Sequence, residues 1–206
     1  MKILVFDNID VLGEDFVEES KKILPAWRCE QMMRFRHLKG RVQCALGWMM
    51  VDYGRCMEGA DFADNHEEWR YNEHGKPYFK DKKNLFFNIS HCQTAVAVAV
   101  DDAEVGIDIE EVRRYRESLR KYVLNEEESG RIEADDKEEF IALWTKKEAV
   151  FKYYGTGITH EIKDILQHVD IQVFTEKIGE KFLSVATKKE KIEVKMLNIN
   201  DLVNKK

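Results

Sequence analysis

The stretch from Asn88 to Glu110, NISHCQTAVAVAVDDAEVGIDIE, constrains the fold more than any other part of the chain. Thr94 to Val100 is an apolar run of strand length, Asp101 to Glu104 is a polar turn, and Val105 to Ile109 resumes an alternating pattern. The segment is therefore expected to form a β-hairpin. The period of two sets Val105, Ile107 and Ile109 on one face of the second strand, and Gly106, Asp108 and Glu110 on the other. Two carboxylates side by side repel each other, and the adjacent glycine leaves their face open to close approach. An exposed edge strand with solvated acids accounts for this pattern. So does a site for a hard divalent cation, where oxygen ligands of this kind suit Mg²⁺, which keeps several waters and shares the phosphates of a substrate.

Composition narrows the setting. At 206 residues, 44% hydrophobic and 35% charged, the chain is expected to fold around one sizeable core or as two small α/β halves sharing one. Its two prolines and eleven glycines leave no room for a disordered linker. Cys29, Cys44, Cys56 and Cys92 are scattered without a C-x-x-C pair, so neither a disulfide framework nor a zinc site is expected and a reduced cytoplasm fits best. The opening Met1 to Asp7 reaches an acid too soon for a signal peptide, and no later apolar run is long enough to span a membrane.

A net charge of −6 argues against a dedicated nucleic-acid binder. The basic residues are nevertheless clustered, five between Arg28 and Arg41 and five between Arg113 and Lys121. Local basic patches on an acidic chain suit small anionic ligands or an acidic partner.

Away from the central stretch, residues 2–6 read as a strand. Pro25 suits a helix start, and Trp27 to Tyr53 carries apolar residues at spacings of three and four that predict one long helix. A strand is expected over 67–72, then a turn at Gly75-Lys76-Pro77 and another short strand. The basic segment after Glu110 continues as a helix, and Asn125 with Glu128 forms a capping-box signature for a second one. Phe140 to Tyr154 is the clearest helix, closed by Gly155-Thr156-Gly157. On it Glu148 and Lys152 are four apart at the border of the apolar stripe, where they form either a solvated surface pair or a pair facing a cleft. From Ile162 onward three alternating runs, ending with Ile192 to Met196, predict a second antiparallel sheet.

Taken in order and spacing, Asn88-Ile89-Ser90-His91, Gly106 to Glu110, Leu143 to Lys152 with Gly155-Thr156-Gly157, and the upstream Gly75-Lys76-Pro77 turn resemble the 4′-phosphopantetheinyl transferase superfamily. The resemblance runs from about Arg28 to about Ile158, and the chain length is that of the single-chain, surfactin-synthetase-activating type. It implies an α+β fold of two similar halves, residues 1–102 and 103–206, each with an antiparallel sheet and a long helix, packed about a pseudo-twofold axis. It implies that Asp108, Glu110 and Glu148 bind Mg²⁺ (or Mn²⁺), and that Glu148, Lys152 and Asp108 carry the chemistry. Lys152, Ser90 and His91 would hold the phosphates of coenzyme A, and Lys76 and Pro77 would lie by its adenine. Arg28, Arg36 and Arg41 would be the basic residues around the 3′-phosphate, Gln43 standing where the family usually has arginine.

The activity implied is transfer of 4′-phosphopantetheine from coenzyme A to a serine of an apo acyl or peptidyl carrier protein, with release of 3′,5′-ADP. The carrier would dock on the basic Arg113 to Lys121 segment of a cytoplasmic monomer. A non-catalytic module that binds coenzyme A or a nucleotide is the alternative. A phosphodiesterase would need a second metal, for which no further Asp/His ligands are well placed.

Overall fold

The computed structural model describes residues 1–57, 69–80 and 84–203. Strands β1 (Lys2–Asp7), β4 (Phe86–His91), β5 (Ala95–Asp101) and β9 (Val194–Leu197) form one sheet in the order β4-β5-β1-β9. Strands β6 (Val105–Glu111), β7 (Gln172–Ile178) and β8 (Lys181–Thr187) form a second, in the order β6-β8-β7. The short β2 (Arg70–Tyr71) and β3 (Pro77–Tyr78) pair around the Gly75 turn. The helices are α1 (Glu14–Ser20), α2 (Ala26–Met33), α3 (Leu38–Met57), α4 (Glu117–Val123), α5 (Glu126–Arg131), α6 (Lys137–Tyr154) and α7 (Ile199–Val203). The fold is α+β, as the sequence predicts, and no helix among the described residues is long and apolar enough to cross a membrane.

The Ala/Val alternation of β5 explains how the layers stack. Val96, Val98 and Val100 join Leu4, Phe6, Leu46, Met49 and Met50 in the core beneath α3. Ala95, Ala97 and Ala99 face the other way, against Val105, Ile107, Ile109, Leu183 and Val185 of the second sheet. Each buried valine contributes about 1.5–3 kcal/mol, while the small alanines let the two sheets approach. On the far side of the second sheet, Ala149, Val150 and Tyr153 of α6 pack with Ala186.

Three sequence expectations are corrected. The two strands of the central stretch are both present, but β5 and β6 are not a hairpin: the chain leaves the first sheet at Asp101 and enters the second at Val105. The physical reason lies in β4. Its Asn88 and Ser90 side chains accept hydrogen bonds from the backbone N–H groups of Ile107 (3.0 Å) and Ile109 (3.3 Å), satisfying the β6 edge that a hairpin partner would have taken. The long helix predicted over 27–53 is two helices with a bend at 34–37. There the Phe35 ring folds back over Gly40, where a Cβ would lie 2.8 Å from the ring, and Arg41 donates from Nε to the Phe35 carbonyl at 3.0 Å.

The third correction concerns the last strand. β9 joins the first sheet, parallel to β1, instead of extending the second, and α7 follows it with Leu202 buried in the core beneath α3. The strand expected over 67–72 is described only as Arg70–Tyr71, residues 67–68 lying outside the described residues. The helix read after Glu110 begins only at Glu117. The Asn125–Glu128 capping box is present in both directions, at 2.9 and 3.0 Å.

Candidate active site

Strand β6 and helix α6 build the site, and Gly106 sets their distance. A Cβ at Gly106 would lie 2.0 Å from the Ala149 carbonyl oxygen and 2.3 Å from the Tyr153 amide nitrogen, so the helix backbone rests directly on the strand. Two residues further along the same face, Asp108 comes under the turn that carries Glu148 and Lys152. At the other end, Gly155 takes the left-handed conformation (φ 67°) that closes α6, and its N–H donates to the Phe151 carbonyl at 2.8 Å.

Asp108, only 4% exposed, is the hub. Its Oδ1 accepts from Lys152 Nζ at 2.6 Å and from the Ser90 hydroxyl at 2.8 Å, and Lys152 also donates to Ser90 Oγ at 2.9 Å. Its Oδ2 is buried with no partner among the described residues, an uncommon and costly state for a carboxylate oxygen. Burial, reinforced by the negative charges of Asp108 and Glu110, pushes the Glu148 carboxyl up to about 7 against the pull of Lys152. Glu148 has no side-chain hydrogen bond or ion pair among the described residues. Glu110 is likewise raised, by burial and then by Asp108, against the pull of Arg113, which pairs with it at 3.5 Å, of Lys152 and of a hydrogen bond with Trp144. His91, at the open end of β4, is lowered by desolvation and by the Lys152 ammonium.

No three Asp, Glu, His or Cys side chains among the described residues are gathered closely enough to chelate a metal ion as they stand. The chemistry of the set nonetheless fits one. Three carboxylates repel one another around the Lys152 ammonium, two are held above their ordinary range by burial and then by that repulsion, and one buried oxygen lacks a donor among the described residues. A divalent cation with oxygen preference would relieve all three conditions.

The acids lie between two cavities. The larger, about 610 Å³, is lined by Glu110 and His91 together with Phe35, Arg36, Gln43 and Arg113. The smaller, about 260 Å³, is lined by Glu148 and Lys152 with Lys76, Pro77, Asn88 and Gly157. The β2–β3 turn is clamped onto the end of α6: Lys76 Nζ donates to the Tyr153 carbonyl (2.8 Å) and to Glu104 (2.5 Å), and Asn72 Nδ2 donates to the Gly155 carbonyl (2.8 Å). A third groove, about 510 Å³, has Arg113, Arg114, Arg116, Leu119 and Tyr122 along one wall and Ile141 and Trp144 of α6 on the other.

The structure thus gathers Asp108, Glu110, Glu148, Lys152, Ser90 and His91, with Lys76 and Pro77 beside them and Arg36 in the larger cavity. Arg28 and Arg41 line neither cavity. Arg28 is 6% exposed, its guanidinium 4.4 Å from the Trp69 ring and bonded to the Cys44 carbonyl and Gln31. Arg41 holds the Phe35 carbonyl and pairs with Glu14 at 3.7 Å. Sequence reasoning missed Asn88, whose signal was an amide inside an apolar strand. It passed over Gln43, which lines the larger cavity and donates to the Cys92 carbonyl at 2.8 Å.

The description "4′-phosphopantetheinyl transferase superfamily" belongs to the family profile that matches residues 104–201. The chain is 30% identical over 173 residues to the 4′-phosphopantetheinyl transferase Sfp of Bacillus subtilis, covering 80% of this chain and 76% of that one. It is 38% identical over 96 residues to 4′-phosphopantetheinyl transferase AcpT of Salmonella typhimurium, 43% of this chain and 50% of the relative. It is 27% identical over 161 residues to the L-aminoadipate-semialdehyde dehydrogenase-phosphopantetheinyl transferase of Candida glabrata, 72% and 61% of the two chains. The chain belongs to the 4′-phosphopantetheinyl transferase superfamily.

Proposed function

We propose that the chain transfers the 4′-phosphopantetheine group of coenzyme A to a serine hydroxyl of an apo acyl or peptidyl carrier protein. The observation that carries this reading is the convergence of Asp108, Glu110, Glu148 and Lys152 between two cavities, one on each side of a point where a pyrophosphate would lie. In the reaction the serine Oγ forms a bond to the β-phosphorus of coenzyme A. The bond from that phosphorus to the bridging oxygen breaks, and 3′,5′-ADP leaves with the electron pair. Transfer of this kind is mostly positioning and charge neutralisation.

Glu148 takes the serine proton. In the protein without a bound cation its carboxyl is held up to about 7 by burial and by Asp108; a cation at these acids would lower it, leaving the carboxylate ionised and able to accept the proton near neutral pH. Lys152 donates to the leaving phosphate, and Ser90 and His91 hold the pyrophosphate at the end of β4. Lys76 and Pro77 border the adenine in the smaller cavity, and Arg36, exposed in the larger one, is our choice for a coenzyme A phosphate. Asp108, Glu110 and Glu148 would hold Mg²⁺ or Mn²⁺, which when bound neutralises pyrophosphate charge.

The carrier docks in the groove between the 113–122 segment and α6, whose arginines suit a small acidic domain and whose Leu119, Tyr122, Ile141 and Trp144 give it an apolar floor. Arg113 lines both this groove and the larger cavity, so a serine delivered from the groove enters beside Glu110. Reversal of Arg113, Arg114 and Arg116 to glutamate is expected to raise the KM for carrier protein at least tenfold with the Kd for coenzyme A unchanged; an unchanged KM would remove the segment from the interface. We place the protein in the cytoplasm as a monomer, a setting that suits four cysteines with no disulfide among the described residues.

The bond broken can be read from the small product. Chromatography of the reaction mixture should show 3′,5′-ADP formed in equal amount to modified carrier, and neither in EDTA. Formation of 3′,5′-ADP together with free 4′-phosphopantetheine, with the carrier unmodified or absent, would contradict the scheme and favour a hydrolase. Tight coenzyme A binding with no product would favour the binding-module alternative.

A further inference from the structure

Lys147 stands next to Glu148 in α6, yet it is fully buried, with 0% exposure, and lines none of the three cavities. Its ammonium donates to the Val123 carbonyl at 2.9 Å, to Glu128 Oε2 at 2.6 Å and to the Lys163 carbonyl at 2.7 Å. Three protons meet three acceptors, so the group is satisfied without water. A lysine is rarely sealed in this way, and its packing volume alone would be supplied better by methionine. What lysine adds is the junction: Val123 is the last residue of α4, Glu128 closes the capping box of α5 through its bond to the Asn125 N–H, and Lys163 ends the short 3₁₀ turn His160–Lys163.

The groove lies between the 113–122 segment, which includes most of α4, and α6, the two elements that this junction ties together. Its α6 wall includes Trp144, one turn before Lys147, and its α4 wall includes Leu119 and Tyr122, the latter one residue before Val123. We propose that Lys147 is a positioning residue for the carrier protein, fixing α4 against α6 and so shaping the docking groove, without touching coenzyme A or the acceptor serine. The inference rests on the docking reading above and adds the residue that sets the geometry of that surface.

The test compares the full-length wild-type chain with Lys147→Met in three measurements: KM and kcat for an apo carrier protein, the calorimetric Kd for coenzyme A, and amide hydrogen exchange over residues 117–123. The KM is expected to rise about tenfold while kcat and the Kd stay within twofold, and α4 is expected to exchange faster without loss of protection in α6. An unchanged KM in a folded variant would overturn the proposal. So would parallel losses in KM, kcat and coenzyme A affinity with α6 deprotected, which is the signature of a general structural role. Should Lys147→Met fail to fold, Glu128→Ala removes the same junction from the α5 side and must shift KM in the same direction; no shift would equally overturn it. An unchanged KM in the triple arginine reversal would fault the docking reading and this proposal with it, whereas an unchanged KM in Lys147→Met beside a raised KM in the triple reversal would fault the proposal alone.

Discussion

Gly106→Ala is expected to lose transfer activity by more than about 100-fold and to be less stable by about 3 kcal/mol. The added methyl would have to occupy a position 2.0 Å from the Ala149 carbonyl oxygen and 2.3 Å from the Tyr153 nitrogen. These are backbone atoms of a helix, which cannot rotate away as a side chain can, so α6 as a whole must lift from β6. Glu148 and Lys152 ride on that helix and Asp108 on that strand; an ångström of separation breaks the 2.6 Å contact between Lys152 and Asp108. Steady-state kinetics and urea unfolding check both parts. Wild-type activity in Gly106→Ala would show that the close approach does not organise the site.

Lys152→Met is the second large effect. It removes the one ammonium bonded to Asp108 among the described residues, leaving a carboxylate that is 4% exposed with one fewer partner and with Glu110 and Glu148 still repelling it. Stranding a buried charge in this way costs about 3–5 kcal/mol, so the melting temperature in EDTA should fall by several degrees. Transfer should fall by at least about 100-fold, because the leaving phosphate loses its donor. Mg²⁺ is expected to raise the melting temperature of this variant more than that of the wild type, since the cation can take over the neutralising role that the ammonium has lost. Transfer should stay low regardless. A variant as stable in EDTA as the wild type would mean that Asp108 does not depend on Lys152, and an equal response of both proteins to Mg²⁺ would argue against a cation at these acids.

Much of this site was legible from residue types and order. The alternation Val105-Gly-Ile-Asp-Ile-Glu put the two acids on one face, and the Glu148–Lys152 spacing put a carboxyl and an ammonium on the border of α6; in the structure both line the smaller cavity, and Lys152 reaches Asp108. What the sequence concealed was pairing. Val-Ala alternation and a short polar turn look the same whether the next strand turns back on its neighbour or crosses to another sheet. The choice is made by Asn88 and Ser90 filling the β6 edge, contacts between residues 19 apart that no local pattern announces. The register of β9 against β1 is likewise a long-range contact.

Arg28 was concealed for a different reason. Charge and position marked it as an anion ligand, but its guanidinium lies against Trp69 and the Cys44 carbonyl, a setting that depends on a residue 41 positions away. The bend at 34–37 was hidden because apolar spacing continues through it, while the Phe35–Gly40 contact and the Arg41 bond to the Phe35 carbonyl hold the chain there. Lys147 looked like one basic residue in a Lys-Lys-Glu run, and nothing in its spacing distinguishes a buried junction from a solvated face.

Intact-mass spectrometry of an apo carrier protein incubated with this chain, coenzyme A and Mg²⁺, beside a Glu148→Ala control, tests the central claim most directly. The account predicts that the carrier gains the mass of one phosphopantetheine group with the wild type, and that the gain is absent with Glu148→Ala and in EDTA. An unmodified carrier across several unrelated carrier proteins, with coenzyme A still bound by the wild type, would contradict it.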